Sequence, residues 1–225
     1  CNYVREVEEE EVSEYCMVME LAPGGTLGQL IATGERLPEE QIEKLLLQLC
    51  SALEHIHEEG MLHRDLKPDN VLLSARGAAK ICDLGLACTE QSKASMTRGA
   101  GTGAYSSAEK VKGGRYGGAD DIWALGCITF ELVTMRTTYS LSPLGLWAVP
   151  EKVEPFVVGA VEAVYPRFAA PVRAMLALDP AERPSAKQVR LMLEGGAKAA
   201  ALLELSRRRA GPAGRHGGGG GGGGG

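Results

Sequence analysis

The densest group of chemically active side chains in this sequence is an eight-residue stretch, His63-Arg64-Asp65-Leu66-Lys67-Pro68-Asp69-Asn70. Pro68 prevents the stretch from forming a helix interior, and polar groups this dense on a loop are typical of functional sites. Carboxylate and amide oxygens are hard ligands that suit Mg²⁺, while an ammonium group stabilises phosphoryl oxygens. The stretch therefore offers the groups that phosphoryl transfer requires. The simpler alternative is a polar loop that caps a core.

The stretch resembles the catalytic loop of eukaryotic-type protein kinases, and Asp83-Leu84-Gly85 follows in the order that this family shows. The resemblance implies that Asp65 orients the substrate hydroxyl and accepts its proton, while Lys67 stabilises the transferred phosphoryl group. It also implies that Asn70 and Asp83 hold Mg²⁺. The middle residue of the second motif is Leu where the family more often has Phe, which is similar to some NIMA-related kinases.

The resemblance also implies a site for ATP. The segment from Met17 to Ala22 is similar to the segment that links the two lobes of a kinase, where backbone groups bond the adenine base. Glu20 and Ala22 would offer those backbone contacts. Met19 falls at the gatekeeper position, and Leu72 would pack beneath the base. Without the resemblance, Met19 is interpreted as an ordinary core residue.

Regulatory residues follow from the same resemblance. Arg64, next to the catalytic Asp, is similar to its counterpart in kinases whose activation loop is ordered by phosphorylation, since Arg pairs with phosphate bidentately. Thr97 and Ser95 are candidate phosphate acceptors, or else solvated loop hydroxyls. Thr102 would bond the catalytic Asp and Lys, a feature of members specific for Ser and Thr. Lys67-Pro68 also resembles that class and not the tyrosine kinases.

Several charged residues are predicted to support the fold. Residues 121–126 are similar to the central helix of the family, in which Asp121 holds the backbone of the catalytic loop. Arg183 matches an Arg that pairs with the residue at the Glu109 position. His63 is predicted to pack in the core and bond backbone groups, although its ring alone would suit a general base.

The pattern of apolar and turn residues predicts the elements that position these groups. An acidic turn separates two predicted strands near the N-terminus, and two helices precede the catalytic stretch. A hairpin follows it, then a long loop, a buried helix, an irregular segment and two further helices. The predicted ranges are strands from Tyr3 and over Tyr15–Met19, helices over Leu27–Thr33 and Pro38–Gly60, a hairpin of Val71–Leu73 and Ala79–Ile81, a loop over 86–109, a buried helix around Ile122–Leu132, irregular chain over Thr137–Pro155, a helix ending at Asp179-Pro180, and a helix capped by Ser185.

The composition is that of an ordinary globular protein, with 44% hydrophobic and 24% charged residues and a net charge of −5. The negative charge argues against a nucleic-acid partner. No apolar run approaches the roughly 20 residues that span a bilayer, so no membrane association is expected. The six Cys include no Cys-x-x-Cys pair, which favours reduced thiols and an intracellular, cytoplasmic location. The oligomeric state is open, and the expected partners are ATP and proteins that bear Ser or Thr.

The expected fold class is α+β and protein kinase-like, with a mainly helical large lobe and remnant small-lobe strands. Residues 1–194 form a partial kinase domain in this interpretation, divided into strands over 1–19, a hinge over 20–26 and the large lobe over 27–194. Residues 195–225 form a low-complexity tail rich in Ala, Arg and Gly, which is expected to be disordered.

Three kinase features are not found before Met17: the glycine-rich lid, the strand Lys and the helix Glu. The sequence is therefore expected to be an incomplete part of an active Ser/Thr kinase, with weak or no ATP turnover of its own. One alternative is a non-catalytic kinase-like scaffold, which the unusual Gly103 and Ala108, at positions that are usually Pro, would favour. The other is a helical interaction domain with an accidental motif.

Overall fold

The computed structural model describes residues 4–7, 14–84, 88–89, 103–113 and 117–195, and its first regular element is a hairpin. Strands β1 (Val4–Val7) and β2 (Glu14–Met17) pair antiparallel, with Val4 opposite Met17. The prediction that the second strand extends to Met19 is wrong. Val18 and Met19 lie beyond the strand and are 63% and 64% exposed. An apolar run alone does not distinguish a paired strand from an exposed extended segment.

Two helices follow, as predicted. Helix α1 (Leu27–Ala32) begins with a capping box in which Thr26 and Gln29 exchange side-chain and backbone hydrogen bonds. Helix α2 (Glu39–Glu58) has acids in its first turn and buries one apolar stripe along its length. Pro38 is the N-cap of α2, one position before the first helical residue at which the sequence placed it.

Short strands frame the catalytic stretch. It lies between β3 (Met61–Leu62) and β4 (Val71–Leu73), and β4 pairs antiparallel with β5 (Ala79–Ile81). This hairpin confirms the prediction to the residue. Strand β6 (Cys88–Thr89) pairs with β3 inside the segment that was predicted as a loop. A strand of two residues shows no alternation, so the sequence carries no signal for it.

The predicted loop over 86–109 is also wrong at its end. A 3₁₀ turn covers Gly103–Tyr105, and the short helix α3 covers Ala108–Val111. A four-residue helix is hardly longer than one turn and therefore shows no apolar period.

Helix α4 (Gly118–Thr134) is the predicted buried helix and forms the centre of the core. Burial extends around its whole circumference, which agrees with its apolar sequence. It packs against α2 and against the helices that follow it. Its N-terminus points towards the catalytic stretch, because Asp121 in its first turn contacts residues 63 and 64.

The C-terminal part is more helical than predicted. Helix α5 (Pro150–Lys152) continues into a π-helical turn (Val153–Val158) and helix α6 (Gly159–Val164), within and beyond the segment predicted as irregular. Helix α7 (Ala169–Met175) ends before the predicted stop at Asp179-Pro180.

A side chain binds the backbone just beyond the end of α7. The guanidinium of Arg183 donates to the carbonyl oxygens of Ala177 and Leu178, at 2.8 and 3.3 Å. Helix α8 (Ala186–Gly195) starts after Ser185, as predicted, with Ser185 and Gln188 exchanging side-chain and backbone hydrogen bonds. Within the described ranges no helix is both long and apolar enough to cross a bilayer.

Candidate active site

Asp65 lies at the centre of a small group of hydrogen bonds in the catalytic stretch. Lys67 Nζ is 2.8 Å from Asp65 Oδ2, and Asn70 Nδ2 is 3.2 Å from the same oxygen. Asn70 Nδ2 also donates to the backbone oxygen of Asp65 at 2.8 Å. A 3₁₀ turn over Pro68–Asn70 brings the amide back towards the carboxylate. The structure thus brings together three side chains that the sequence placed in the site.

Asp121 holds the backbone just before Asp65. Its Oδ2 accepts the backbone N–H of His63 at 3.0 Å, and its Oδ1 accepts that of Arg64 at 2.9 Å. His57 Nε2 lies 2.9 Å from Oδ2. Burial raises the pKa of the Asp121 carboxyl, but the hydrogen bonds from His57 and the two amides hold the pKa below its ordinary value. The predicted contact between Asp121 and the catalytic loop is present.

His63 connects the catalytic stretch to Asp83. The ring is fully buried, and Nε2 donates to the carbonyl oxygen of Cys82 at 2.9 Å. The backbone N–H of Cys82 donates to the carbonyl oxygen of Asn70, also at 2.9 Å. Because Asp83 follows Cys82, these two bonds place Asp83 beside Asn70. Asp83 is exposed and has a positive φ of 60°. The contact is the structural one that the sequence predicted for His63.

The oxygen donors of this site fit a magnesium–nucleotide complex. The Nδ2 group of Asn70 donates to Asp65, so the other amide atom, Oδ1, is the one that can face a cation. Asp83 adds a second side chain with oxygen ligands, on the residue after Cys82, whose backbone N–H donates to Asn70. Mg²⁺ is usually held by one or two protein oxygens together with substrate phosphates, and this set supplies that number.

The segment predicted to contact adenine lies beside the hairpin of β4 and β5. Gly24 N–H donates to Leu73 O, and Leu73 N–H donates to Gly25 O, both at 2.9 Å. These bonds hold the turn after Ala22 against β4, next to the partly exposed Leu72. A side chain at Gly24 would place its Cβ 2.6 Å from Leu73 O, so this close approach requires glycine.

The other predicted adenine-site residues come directly before this turn in the chain. Glu20 forms an exposed ion pair of 2.5 Å with Lys80 of β5, which stands opposite Leu72 in the hairpin. Met19 is 64% exposed and is therefore not the core residue of the simpler interpretation. Ala22 is half-buried. The ion pair places Glu20 next to the hairpin of β4 and β5.

Arg183 and Glu109 form the predicted ion pair. The guanidinium is fully buried and binds both carboxylate oxygens, at 2.6 and 3.0 Å. It also donates to Ala119 O at 3.0 Å and lies 4.9 Å above the ring of Trp123. Burial raises the pKa of Glu109, but its hydrogen bonds and the Arg183 charge bring the pKa below its ordinary value. The pair fixes α3 against the start of α4.

A second buried ion pair, between Lys110 and Asp120, lies next to the first. The sequence did not predict it. Lys110 Nζ is 2.9 Å from Asp120 Oδ2, and both side chains are 5% exposed. Asp120 Oδ1 accepts the N–H and the hydroxyl of Ser107, at 3.0 and 2.7 Å. The sequence indicates such a pair only by two couples of adjacent charged residues, Glu109-Lys110 and Asp120-Asp121. The second couple directly precedes the apolar part of α4.

Glu131 of α4 connects two segments near the site. Its carboxylate accepts the N–H of Thr138 at 2.6 Å and the hydroxyl of Tyr105 at 3.1 and 3.2 Å. Burial raises the pKa of this carboxyl above its ordinary value, although the hydrogen bonds from Thr138 and Tyr105 lower the pKa in part. The turn over Gly103–Tyr105 is thereby attached to the segment that follows α4.

Some predicted residues lie outside the described ranges. They include the candidate phosphate acceptors Ser95 and Thr97, and Thr102, which was predicted to bond Asp65 and Lys67. Arg64, their predicted phosphate partner, is buried, at 6% exposure, with a left-handed backbone. The tail beyond residue 195 also lies outside these ranges.

The fold and the site define a class of protein. A mainly helical body built on α4 presents a loop in which an Asp, a Lys and an Asn converge, with a second Asp placed beside them. Residues 3–192 match the family described as protein kinase domain. The chain therefore belongs to the protein kinase family, and the kinase-like fold predicted from the sequence is confirmed.

Individual relatives can be named within the family. The chain is 32% identical over 183 residues to hormonally up-regulated neu tumor-associated kinase homolog B of Xenopus laevis, covering 80% of this chain and 29% of the relative. It is 34% identical over 180 residues to serine/threonine-protein kinase Nek8 of Danio rerio, covering 77% and 25%. It is 36% identical over 136 residues to serine/threonine-protein kinase Nek10 of Homo sapiens, covering 58% and 12%. The chain thus spans less than a third of each of these relatives.

Proposed function

We propose that this chain carries the phosphotransfer centre of a serine/threonine protein kinase, which moves the γ-phosphoryl group of ATP to Ser or Thr hydroxyls of proteins. One observation carries the proposal: Lys67 and Asn70 both contact the same carboxylate oxygen of Asp65, at 2.8 and 3.2 Å. The similarity to relatives named as serine/threonine kinases supports the choice of acceptor.

The roles of the residues follow from phosphoryl-transfer chemistry, which needs positioning and charge neutralisation more than covalent participation. Asp65 orients the acceptor hydroxyl and takes its proton. Lys67 holds the carboxylate in place and offers its ammonium group to the phosphoryl oxygens. Asn70 and Asp83 would hold the Mg²⁺ that neutralises the nucleotide phosphates. The backbone of Glu20 and Ala22 would receive the adenine ring, with Met19 and Leu72 beside it.

The domain division remains part of the proposal. Residues 1–19 would belong to the small lobe, 20–26 to the hinge and 27–194 to the large lobe, with 195–225 as a tail. The hydrogen bonds of Gly24 and Leu73 support the position of the hinge, because they attach it to β4 at the edge of the site.

The test is the Asp65→Asn variant of the full-length protein. Phosphorylation of Ser and Thr peptides should fall by at least about a hundredfold, while binding of Mg·ATP stays close to the wild-type value, because the lost group acts on the hydroxyl. Asp69→Asn is the matched control, since this neighbouring carboxylate is exposed and outside the group around Asp65.

The outcomes separate the alternatives. Persisting phosphorylation with unchanged Mg·ATP binding in Asp65→Asn would mean that Asp65 is not the catalytic carboxylate. Binding of Mg·ATP by a wild-type protein that phosphorylates nothing would favour the kinase-like scaffold. A tyrosine peptide as the preferred acceptor would overturn the assignment to the serine/threonine class.

A further inference from the structure

Lys110 is a buried cation that contacts the backbone of the catalytic stretch. Its Nζ donates to the carbonyl oxygen of Arg64, the residue directly before Asp65. The same Nζ lies 2.9 Å from Asp120 Oδ2, and Asp120 Oδ1 accepts two hydrogen bonds from Ser107. One chain of polar contacts therefore runs from the segment that precedes α3, through the start of α4, to the catalytic stretch.

The ion pair of Lys110 and Asp120 is poorly explained by a gain in stability. Removing two charges from water is costly, and apolar pairs of similar size often stabilise a buried position as well or better. Burial raises the pKa of the Asp120 carboxyl, which shows that its surroundings penalise the charge, while Lys110 and Ser107 oppose that effect. The buried pair is therefore better explained by a conformation that it specifies than by a gain in stability.

The conformation concerned is that of Arg64. Its φ is +70°, a left-handed conformation that L-residues other than glycine rarely adopt and that costs free energy unless its surroundings hold it. Two adjacent carboxylates of α4 hold it from both sides. Asp121 accepts the backbone N–H of Arg64 directly. Asp120 orients the Lys110 ammonium group, which donates to the carbonyl oxygen of Arg64. The direction in which the chain enters Asp65 depends on this peptide unit.

We propose that Lys110 is a positioning residue of the phosphotransfer site. It fixes the peptide unit of Arg64, and with it the orientation of Asp65. Through Asp120 and Ser107 it also connects the catalytic stretch to the start of α3. The catalytic consequence rests on the proposed function, whereas the effect on the conformation of residues 61–70 does not.

The experiment compares stability with catalysis in the full-length protein. Lys110→Met alone leaves Asp120 buried without its cation and should lower both the Tm and kcat. The double variant Lys110→Met/Asp120→Asn removes both charges, keeps an acceptor for Ser107 and should recover most of the Tm. Its kcat should remain roughly tenfold to a hundredfold below wild type, because Asp65 stays misplaced, with the KM for ATP changed by less than about threefold.

Two single variants serve as matched comparisons. Lys110→Arg keeps a buried cation that can reach both Asp120 and the carbonyl oxygen, so it should regain much of the lost kcat. Lys187→Met removes a Lys that is 62% exposed and 3.8 Å from Glu54, and should leave the Tm and kcat as in wild type. Recovery of kcat together with the Tm in the double variant would overturn the proposal, because Lys110 would then act only on stability.

Amide hydrogen exchange gives a readout that does not need activity. In the double variant the amides of residues 61–70 should exchange faster than in wild type, while those of α2 and α4 keep their protection. Wild-type exchange rates at residues 61–70 would overturn the role of Lys110. If the wild-type protein transfers no phosphoryl group, the proposed function fails, and the exchange result still decides whether Lys110 holds the catalytic stretch.

Discussion

The Oδ1 atom of Asp121 and the backbone N–H of Arg64 are joined by a hydrogen bond of 2.9 Å, although 57 positions of sequence separate the two residues. The other carboxylate oxygen accepts the N–H of His63 and lies 2.9 Å from His57. The carboxylate is buried, so these donors replace the water that would otherwise solvate it. The catalytic stretch is thus attached to the centre of the core by one side chain.

Replacing this carboxylate should therefore weaken the whole domain. In Asp121→Asn the side chain loses its charge, and one of its two oxygen acceptors becomes a donor that faces other donors. We expect the free energy of unfolding to fall by about 2–4 kcal/mol, as for the loss of one partner in a buried charged network. Urea denaturation followed by circular dichroism measures the change. The exposed Glu162→Gln is the control and should stay within about 0.5 kcal/mol of wild type.

The contribution of Asp121 should depend on pH in one direction. Its pKa in the folded protein is below the ordinary value of 3.8, because the hydrogen bonds from His57, His63 and Arg64 outweigh the effect of burial. A carboxyl whose folded pKa is lowered contributes its full stability above the unfolded pKa and loses it as the pH falls through the folded pKa.

The difference in unfolding free energy between wild type and Asp121→Asn should therefore shrink as the pH falls below 3.8. Urea titrations at several pH values measure that difference. A gap that widens on acidification would contradict the sign of the pKa shift. Glu109 has a lowered pKa as well, but it is present in both proteins, so its contribution cancels in the comparison.

The buried pair of Arg183 and Glu109 requires the shape of the guanidinium as well as its charge. Arg183 binds both carboxylate oxygens, donates to backbone carbonyls and lies over Trp123. Lys has no planar fork and cannot make these contacts together. Arg183→Lys should lower the free energy of unfolding by about 2–4 kcal/mol.

A matched control exists on the surface. Arg173 also contacts both carboxylate oxygens of Glu154, through Nε and one terminal nitrogen, but its side chain is 50% exposed and that of Glu154 is 61% exposed. Arg173→Lys should therefore change the free energy of unfolding by less than about 1 kcal/mol. If both Arg→Lys variants lost the same free energy of unfolding, burial would not determine how much the planar guanidinium contributes.

The sequence predicted that Asp65, Lys67 and Asn70 belong to one site because these residues are neighbours in one stretch. Asp65, Lys67 and Asn70 lie within six positions, and Pro68 sets the turn that brings the amide back to the carboxylate. The hairpin of β4 and β5 was equally local. The longer-range contacts of Asp121 and Arg183 came from the resemblance to kinases, since no spacing rule connects residues that are 57 or 74 positions apart.

The rest could not be predicted for physical reasons. Lys110 and Asp120 are charged, and charged residues in a sequence are normally assigned to the surface, so a buried pair is invisible until the fold is known. Helix α3 and strand β6 are too short to show a period. The exposure of Met19 depends on which strands lie next to it, and its apolar neighbours in the sequence suggested the opposite.

The two tasks proposed for Asn70 can be separated by substitution. Its Nδ2 group donates to Asp65, and its Oδ1 is the proposed ligand of Mg²⁺. In Asn70→Asp the side chain keeps an oxygen for the cation but cannot donate to Asp65 and repels its carboxylate. In Asn70→Ala both functions are lost. Both variants should show a kcat lowered by roughly tenfold or more, because the catalytic carboxylate loses its orientation.

The Mg²⁺ requirement should distinguish the two variants. The Mg²⁺ concentration for half-maximal phosphorylation should rise severalfold in Asn70→Ala and stay near or below the wild-type value in Asn70→Asp, since a carboxylate is a stronger ligand of a hard cation than an amide. Asp69→Ala, in the same turn but exposed, should leave that concentration unchanged. An equal rise in both Asn70 variants would mean that Asn70 affects Mg²⁺ only by positioning Asp65, and a normal kcat in Asn70→Asp would mean that the Nδ2 hydrogen bonds do not orient the carboxylate for catalysis.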